Sequence, residues 1–366
     1  MDIKFVDLKA QYLTIKKDID KAIEDVINNT AFIKGKYVEE FEAKYSEKYD
    51  SKYVVSCANG TDAIYIALKA LGVGAGDEVI TTALSWISTS ETITQTGAKV
   101  VFVDIDEEDY TINVKEIEEK ITDKTKAIIP VHLYGHPAKM DDIIKLALKY
   151  NIKIIEDCAQ AHFAEFQGQK VGTFGDFGTF SFFPGKNLGA YGDAGCIITS
   201  SEELAIKAKM IANHGGLKKH SHEIEGINSR MDGIQAAILS AKLNYIDEWT
   251  SLRISHSKFY SSGIINEKII KPVEKNNVKH VYHLYVIRSE VRDLLKTHLK
   301  DNGIPTSIHY PKSLPYLPAY DYLKHIPSDF PNAYNLTEKI LSIPIYPEMS
   351  EEKIKYIFDK INSFKG

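Results

Sequence analysis

From residue 53 to about residue 200, short β-rich runs alternate with segments of helical periodicity. The runs are YVVSC, EVITT, KVVFVDID, KAIIPVHLY, KIIED and GCIIT, and segments such as MDDIIKLALKYN, with apolar residues every three or four positions, separate them. That rhythm predicts a mostly parallel sheet covered by helices. From Asp232 onward, Ile234, Ala237, Ile238, Ala241, Tyr245, Trp249 and Leu252 recur at the same spacing and predict one long amphipathic helix.

The domain boundary is placed in or just after that helix, giving a large α/β domain over 1–245 and a smaller α+β domain over 246–366. In the second part HVYHLYVIRS reads as a strand, EVRDLLKTHLKDNG as a helix ending at Gly303, and SEEKIKYIFDKINSF as a terminal helix opened by Ser350. The stretch HGGLKKHSHEIEG is loop-like, and its His214, His220 and His222 lack the spacing of a metal site. GVGAGD precedes a strand, whereas a dinucleotide fingerprint must follow one, so it reads as a turn.

Composition narrows the partners. At 366 residues, 44% hydrophobic and 26% charged, the chain has the make-up of a globular protein with room for a well-buried core. Its 45 Lys and Arg against 50 Asp and Glu give a net charge of -5, which offers no basic field for a nucleic-acid backbone. Neither a signal-peptide pattern at the start nor an apolar run of membrane-spanning length is present. Three cysteines without a CxxC spacing indicate neither a disulfide framework nor a zinc site, so no metal is expected and the cytoplasm fits best.

Three segments carry candidate chemistry. In SCANGTDAIYIALKALG a strand runs through Asn59, Gly60 and Thr61 into a helix, presenting free N–H groups and a hydroxyl to an anion; a simple helix cap explains the same residues. In KIIEDCAQ a buried strand ends on Glu156 and Asp157, at the sheet edge where α/β proteins place their sites. A carboxylate there can hold a proton on a pyridine nitrogen, or simply sit in a turn. In GTFSFFPGKNLGAYGDAG an apolar strand leads to Lys186 in a glycine-rich turn, where desolvation favours the neutral amine that covalent catalysis needs; a surface lysine in a mobile loop is the alternative.

Taken together, these segments resemble the DegT/DnrJ/EryC1/StrS family of nucleotide-sugar aminotransferases. CANGTDA, GAGDEVITT, VFVDID, PVHLYG, IEDCAQAH, SFFPGKNLGAYGDAG, GINSRMDGIQAA and IHYP occur in the family's order and spacing over essentially the whole chain. The resemblance implies a fold type I aminotransferase using pyridoxal 5'-phosphate, with sites at the interface of a homodimer. It implies that Lys186 carries the cofactor and shuttles the proton, that Asp157 pairs with the pyridine nitrogen, and that Gln160 lies near the ring hydroxyl. Gly60, Thr61 and Ser181 are expected to hold the phosphate, with Asn228 reaching the neighbouring subunit's cofactor. Trp86 is expected to stack on the ring, and His309 and Tyr310 to line the sugar pocket.

The turn after Lys186 is similar to that of the subgroup acting on 3-keto sugars, whereas 4-keto relatives more often carry a threonine-rich turn there. The expected reaction moves nitrogen from L-glutamate to a nucleotide-linked keto-sugar, foremost a dTDP-3-keto-6-deoxyhexose. A 4-keto sugar or a UDP-linked 3-keto sugar is the alternative within the class, and a non-catalytic cofactor-binding regulator the alternative outside it. Phe183 departs from the Tyr that many 3-keto relatives carry and removes a hydroxyl near the site.

Overall fold

A computed structural model describes residues 2–218, 220–273 and 275–366. Its central sheet has seven strands: β1 Tyr53–Cys57, β2 Glu78–Thr82, β3 Lys99–Val103, β4 Thr125–Ile129, β5 Lys153–Asp157, β6 Phe177–Ser181 and β7 Gly195–Thr199. They lie side by side in the order β1-β7-β6-β5-β4-β2-β3. Only β7 runs against the rest, pairing antiparallel with β1 and β6. The mostly parallel sheet read from the alternating pattern is therefore the sheet that forms.

Two runs end earlier than their sequence suggests, each for a local reason. The run KAIIPVHLY is interrupted after Ile129, where Pro130 has no N–H to donate, and meets β5 only once more, at Val131 opposite Asp157. KVVFVDID leaves it after Val103, and the next residue, Asp104, instead accepts from the backbone N–H of Asn332 and Ala333 at 2.8 Å each. That contact ties the sheet edge to the start of the helix Pro331–Thr337. Leu314, Tyr320, Phe330 and Leu336 accordingly pack into the core over the sheet.

The helix α1, Gly60–Ala70, starts where Asn59 turns extended and accepts from the Asp62 N–H at 2.8 Å. A second helix, α2 (Ser88–Gln95), follows β2. The long helix predicted from Asp232 exists as two: α3 Gly233–Lys242 and α4 Ile246–Gly263, joined by a tight 3-10 turn over Leu243–Tyr245. Both parts serve one core, since Ile238, Leu239, Ile246 and Trp249 belong to the same buried cluster. A separate cluster gathers Tyr260, Tyr285, Leu341 and Ile357 around the pair β8 Tyr285–Arg288 and β9 Ile340–Ile343. The terminal helix α5, Glu351–Ser363, packs there under its predicted Ser350 cap. No helix among the described residues is long and apolar enough to cross a membrane.

HVYHLYVIRS supplies only its second half to β8. Its first half is taken by other partners: the Val281 N–H donates to the Gly135 carbonyl at 3.1 Å, and Arg253 Nη1 donates to the carbonyls of Tyr282 and His283 at 3.2 and 3.4 Å. The chain from His280 to Leu284 is thereby pulled out of the two-stranded sheet.

Period-2 alternation on β5 sends Glu156 and Asp157 to opposite faces. Glu156 is fully buried and accepts from the N–H groups of Gly172, Phe174 and Gly175 at 2.7, 2.7 and 2.8 Å. A fourth bond comes from His132, whose Nδ1 accepts from the Ala138 N–H at 3.0 Å, so that Nε2 carries the hydrogen and donates to Glu156 at 3.1 Å. Cys158 lies beside the pair, but both imidazole nitrogens are already engaged, and the three residues form a structural hub rather than a metal site. Replacing Glu156 with Leu orphans four buried donors at about 1–3 kcal/mol each. We expect Glu156→Leu to lower unfolding free energy by at least about 3 kcal/mol in urea titration; a loss below about 1 kcal/mol would contradict the role of this carboxylate.

Candidate active site

The carboxyl ends of β5 and β6 meet the start of α1 and the turn after β6, and the predicted residues other than Asn228 are arranged around them. Asp157 is buried and held at both oxygens: Oδ2 accepts from the Thr89 hydroxyl at 2.8 Å and Oδ1 from the Ala159 N–H at 3.1 Å. Thr89 is itself fixed by a 2.8 Å hydroxyl contact with Ser85. The carboxylate is thus oriented by α2, an element far from it in sequence.

Lys186 sits in a turn closed by its own N–H to the Phe183 carbonyl at 2.8 Å. The turn is tight enough that a Cβ on Gly189 would lie 2.3 Å from the Pro184 carbonyl oxygen, so only glycine fits. Burial pushes the Lys186 ammonium down to a pKa of about 8, with the charge of Asp157 acting in the opposite direction. Among the described residues no carboxylate forms an ion pair with it. Its side chain faces a cavity of about 280 Å³ shared with Gln160, Phe183, His283, His309 and Tyr310.

Gln160 is fixed at both ends of its amide. Its Oε1 accepts from the Tyr134 N–H at 2.7 Å, and its Nε2 donates to the Tyr310 hydroxyl at 2.9 Å. The Tyr134 hydroxyl donates to the His309 carbonyl, closing a loop of contacts around the cavity. Trp86 is 58% exposed and lies 5.7 Å from the Tyr310 ring, tilted by 44°. His309 bonds through Nδ1 to the Ser342 hydroxyl at 2.9 Å, and burial, with repulsion from Lys186, holds its pKa near 4.

Gly60 and Ser181 touch: a Cβ on Gly60 would lie 2.5 Å from the Ser181 Cβ. The start of α1 therefore rests on the end of β6 with no side chain between them, and the first N–H groups of the helix have no intrahelical acceptor. The Thr61 hydroxyl contacts that of Ser88 at 2.7 Å. Asn228 is exposed and does not line the Lys186 cavity, but its neighbour Ser229 is buried. Ser229 accepts from the Ala58 N–H at 3.0 Å and donates to Asp62 at 2.6 Å, anchoring that segment beside α1.

The sequence pattern of the DegT/DnrJ/EryC1/StrS aminotransferase family matches residues 13–362. The chain belongs to that family. It is 42% identical to a Geobacillus stearothermophilus protein named pleiotropic regulatory protein, over all of this chain and 99% of the relative. It is 39% identical to the dTDP-3-amino-3,6-dideoxy-alpha-D-galactopyranose transaminase of Aneurinibacillus thermoaerophilus, over 99% of each chain. Among solved structures it is similar to S. venezuelae DesV, determined with a ketimine intermediate, with a TM-score of 0.96, 37% identity and coverage of 99% of this chain and 98% of that one.

In this aminotransferase the residues that sequence reasoning passed over are the ones that hold others in place. Thr89 lies in TTALSWIST, where only Trp86 stood out, and nothing in the local pattern pairs it with Asp157. Tyr134 and His283 lie in runs that read as plain strands. The arrangement supplies a reactive amine, an oriented carboxylate and an anion-accepting helix start around one cleft. We expect amine-selective labelling of Lys186, followed by peptide mass against pH, to show a midpoint near 8. Asp157→Asn removes the anion that favours the ammonium, so the midpoint should fall further; an unaltered midpoint, or one near that of free lysine, would contradict this electrostatic account.

Proposed function

We propose that this chain is a pyridoxal 5'-phosphate-dependent aminotransferase that moves nitrogen from L-glutamate to the 3-keto carbon of a dTDP-linked 6-deoxyhexose. The observation that carries the reading is Lys186, a lysine with lowered proton affinity, in one cavity with Gln160 and Tyr310 and within the field of Asp157. Full-length similarity to a dTDP-3-amino-sugar transaminase supports the sugar assignment. So does the NLGAYGDAG turn after Lys186, which resembles that of 3-keto enzymes.

The residues present fit the cofactor. The bare contact of Gly60 with Ser181 leaves the N–H groups of α1 and the hydroxyls of Thr61 and Ser181 available to a phosphate. Trp86 offers an exposed aromatic face, and Asp157 a fixed anion for a pyridine nitrogen. When bound, the cofactor supplies the electron sink for the carbanion left as the donor loses its α-proton. Lys186 Nζ takes that proton and returns it, a task suited to an amine titrating near neutrality. Thr89 and the Ala159 N–H keep the Asp157 carboxylate from rotating while it pairs with the ring nitrogen. Gln160, fixed by Tyr134 and Tyr310, would be the amide that meets the ring hydroxyl.

The working unit is read as a homodimer. Phe32 and Ile33 are exposed apolar residues beside Asp232, and Leu217 and Ile224 are exposed on the chain leading to Asn228. A second copy covering this face would bring Asn228 toward the partner's phosphate. Three buried, unpaired cysteines fit a reducing compartment. The name of the Geobacillus relative raises a regulatory reading, which Lys186→Ala separates: a binder keeps its function without the amine, an aminotransferase does not.

Lys186→Ala should abolish turnover while phosphate contacts still retain the cofactor, checked by product formation and by equilibrium dialysis; near-normal turnover rules the lysine out. Competition between matched 3-keto and 4-keto dTDP sugars, with UDP-linked 3-keto sugars alongside and products identified by NMR, should favour the 3-amino dTDP product by at least about tenfold. Predominant 4-amination would overturn the regiochemistry and leave the aminotransferase reading standing. Mixing Lys186→Ala with Asn228→Ala dimers should restore part of the activity, because exchange creates some sites with both native residues. No recovery after verified subunit exchange places Asn228 in its own chain's site.

A further inference from the structure

His283 stands on the wall of the cavity that Lys186 faces, and its hydrogen-bond state is fixed by its surroundings. Asn187 bonds to the Val281 carbonyl through Nδ2 at 3.0 Å; a carbonyl only accepts, so the amide nitrogen must face it. The Asn187 Oδ1 is then the atom 3.2 Å from His283 Nδ1, and that oxygen also only accepts. Nδ1 therefore carries the hydrogen. Burial, reinforced by repulsion from Lys186, Arg253, His309 and His162, holds this imidazole well below the usual range and so uncharged. Its Nε2 is left with a lone pair, and no described residue donates to it.

We propose that His283 Nε2 is a fixed hydrogen-bond acceptor for a hydroxyl of the substrate sugar, and so a specificity-determining residue of this enzyme. The inference rests on the sugar-aminotransferase reading and deepens it. Glutamate is a poor match to this atom, because its carboxylates are themselves acceptors and its only N–H groups are on the nitrogen being transferred. A hexose carries several O–H donors. The same cavity is walled by Phe5, Val6, Ile343 and Ile345, an apolar surface suited to the C–H face or methyl group of a deoxysugar. A buried acceptor built for a hydroxyl rejects an analogue that lacks it, since the lone pair is then left unpaired.

The test uses the holoenzyme in three forms: wild type, His283→Leu, and His283→Gln, whose Oε1 can replace the Nε2 acceptor. Each is assayed for the glutamate half-reaction by absorbance, for KM and kcat with the keto-sugar and its monodeoxy analogues, and for affinity to the amino-sugar product by calorimetry. We expect His283→Leu to raise keto-sugar KM and product Kd by at least about tenfold, with the glutamate half-reaction within about twofold of wild type. His283→Gln should return both to within about threefold, and for one monodeoxy analogue the gap between wild type and Leu should close. If the Leu variant does not fold, His283→Asn, too short to place an oxygen at the Nε2 position, provides the same contrast with Gln. An equal penalty on every analogue, or an equal loss in the glutamate half-reaction, overturns the assignment of His283 alone. A wild-type enzyme that takes nitrogen from glutamate but binds no nucleotide sugar overturns the sugar reading and this assignment together.

Discussion

Two adjacent carboxylates at the end of one buried strand set the terms for the rest of the site. Because strand side chains alternate, Glu156 and Asp157 cannot share a face, and the chain uses the difference. Glu156 takes four hydrogen bonds and locks the His132 turn and the 172–175 loop against β5. Asp157 takes two, one from the backbone and one from Thr89, and presents its remaining capacity toward the cleft. A buried carboxylate survives only when its charge is met by donors, so the stability of one face secures the position of the other.

Close backbone approach is the second constraint. Gly60 against Ser181 and Gly189 against Pro184 are both contacts into which no Cβ fits. The first lets the start of α1 sit directly on the end of β6; the second folds the turn of Lys186 back on itself. Lys242 adds to this from a distance, since its buried ammonium donates to the Gly189 carbonyl at 2.7 Å and lies 4.2 Å from the Tyr191 ring centroid. The reactive lysine is thus held by backbone geometry and by a second lysine 56 positions later in the chain.

Strand order could not be read from the pattern of the chain, but the existence of all seven strands and the parallel character of the sheet could, because continuous apolar runs separated by helical segments have few other solutions. The strand-end placement of Asp157 and the glycine turn of Lys186 were legible for the same reason: they are local features. Thr89, Tyr134 and His283 were not. Each acts through contacts with residues distant in sequence, and a threonine in a helix or a histidine in an apolar run carries no mark of its partner. HVYHLYVIRS shows the limit most clearly, since its alternation is that of a strand, yet a backbone bond to Gly135 and the Arg253 guanidinium donating to two of its carbonyls draw half of it into the site.

The cavity also shows why neutral imidazoles surround a lysine. Burial penalises every charge, and the enclosure around Lys186 contains one anion in its field, Asp157. Were His283 and His309 also charged, they would add two cations to Lys186 and to Arg253, which lines the same cavity. Holding both histidines uncharged removes that repulsion and leaves His283, whose Nδ1 hydrogen points to Asn187, an acceptor at Nε2. The lysine keeps a proton affinity low enough to exchange it near neutral pH, while Asp157, clamped by Thr89, remains free to counter a positive charge elsewhere in the cleft. The polarity of the site is therefore divided among one amine that moves protons, an Arg253 guanidinium spent on backbone carbonyls, and fixed neutral groups that orient what the amine acts upon.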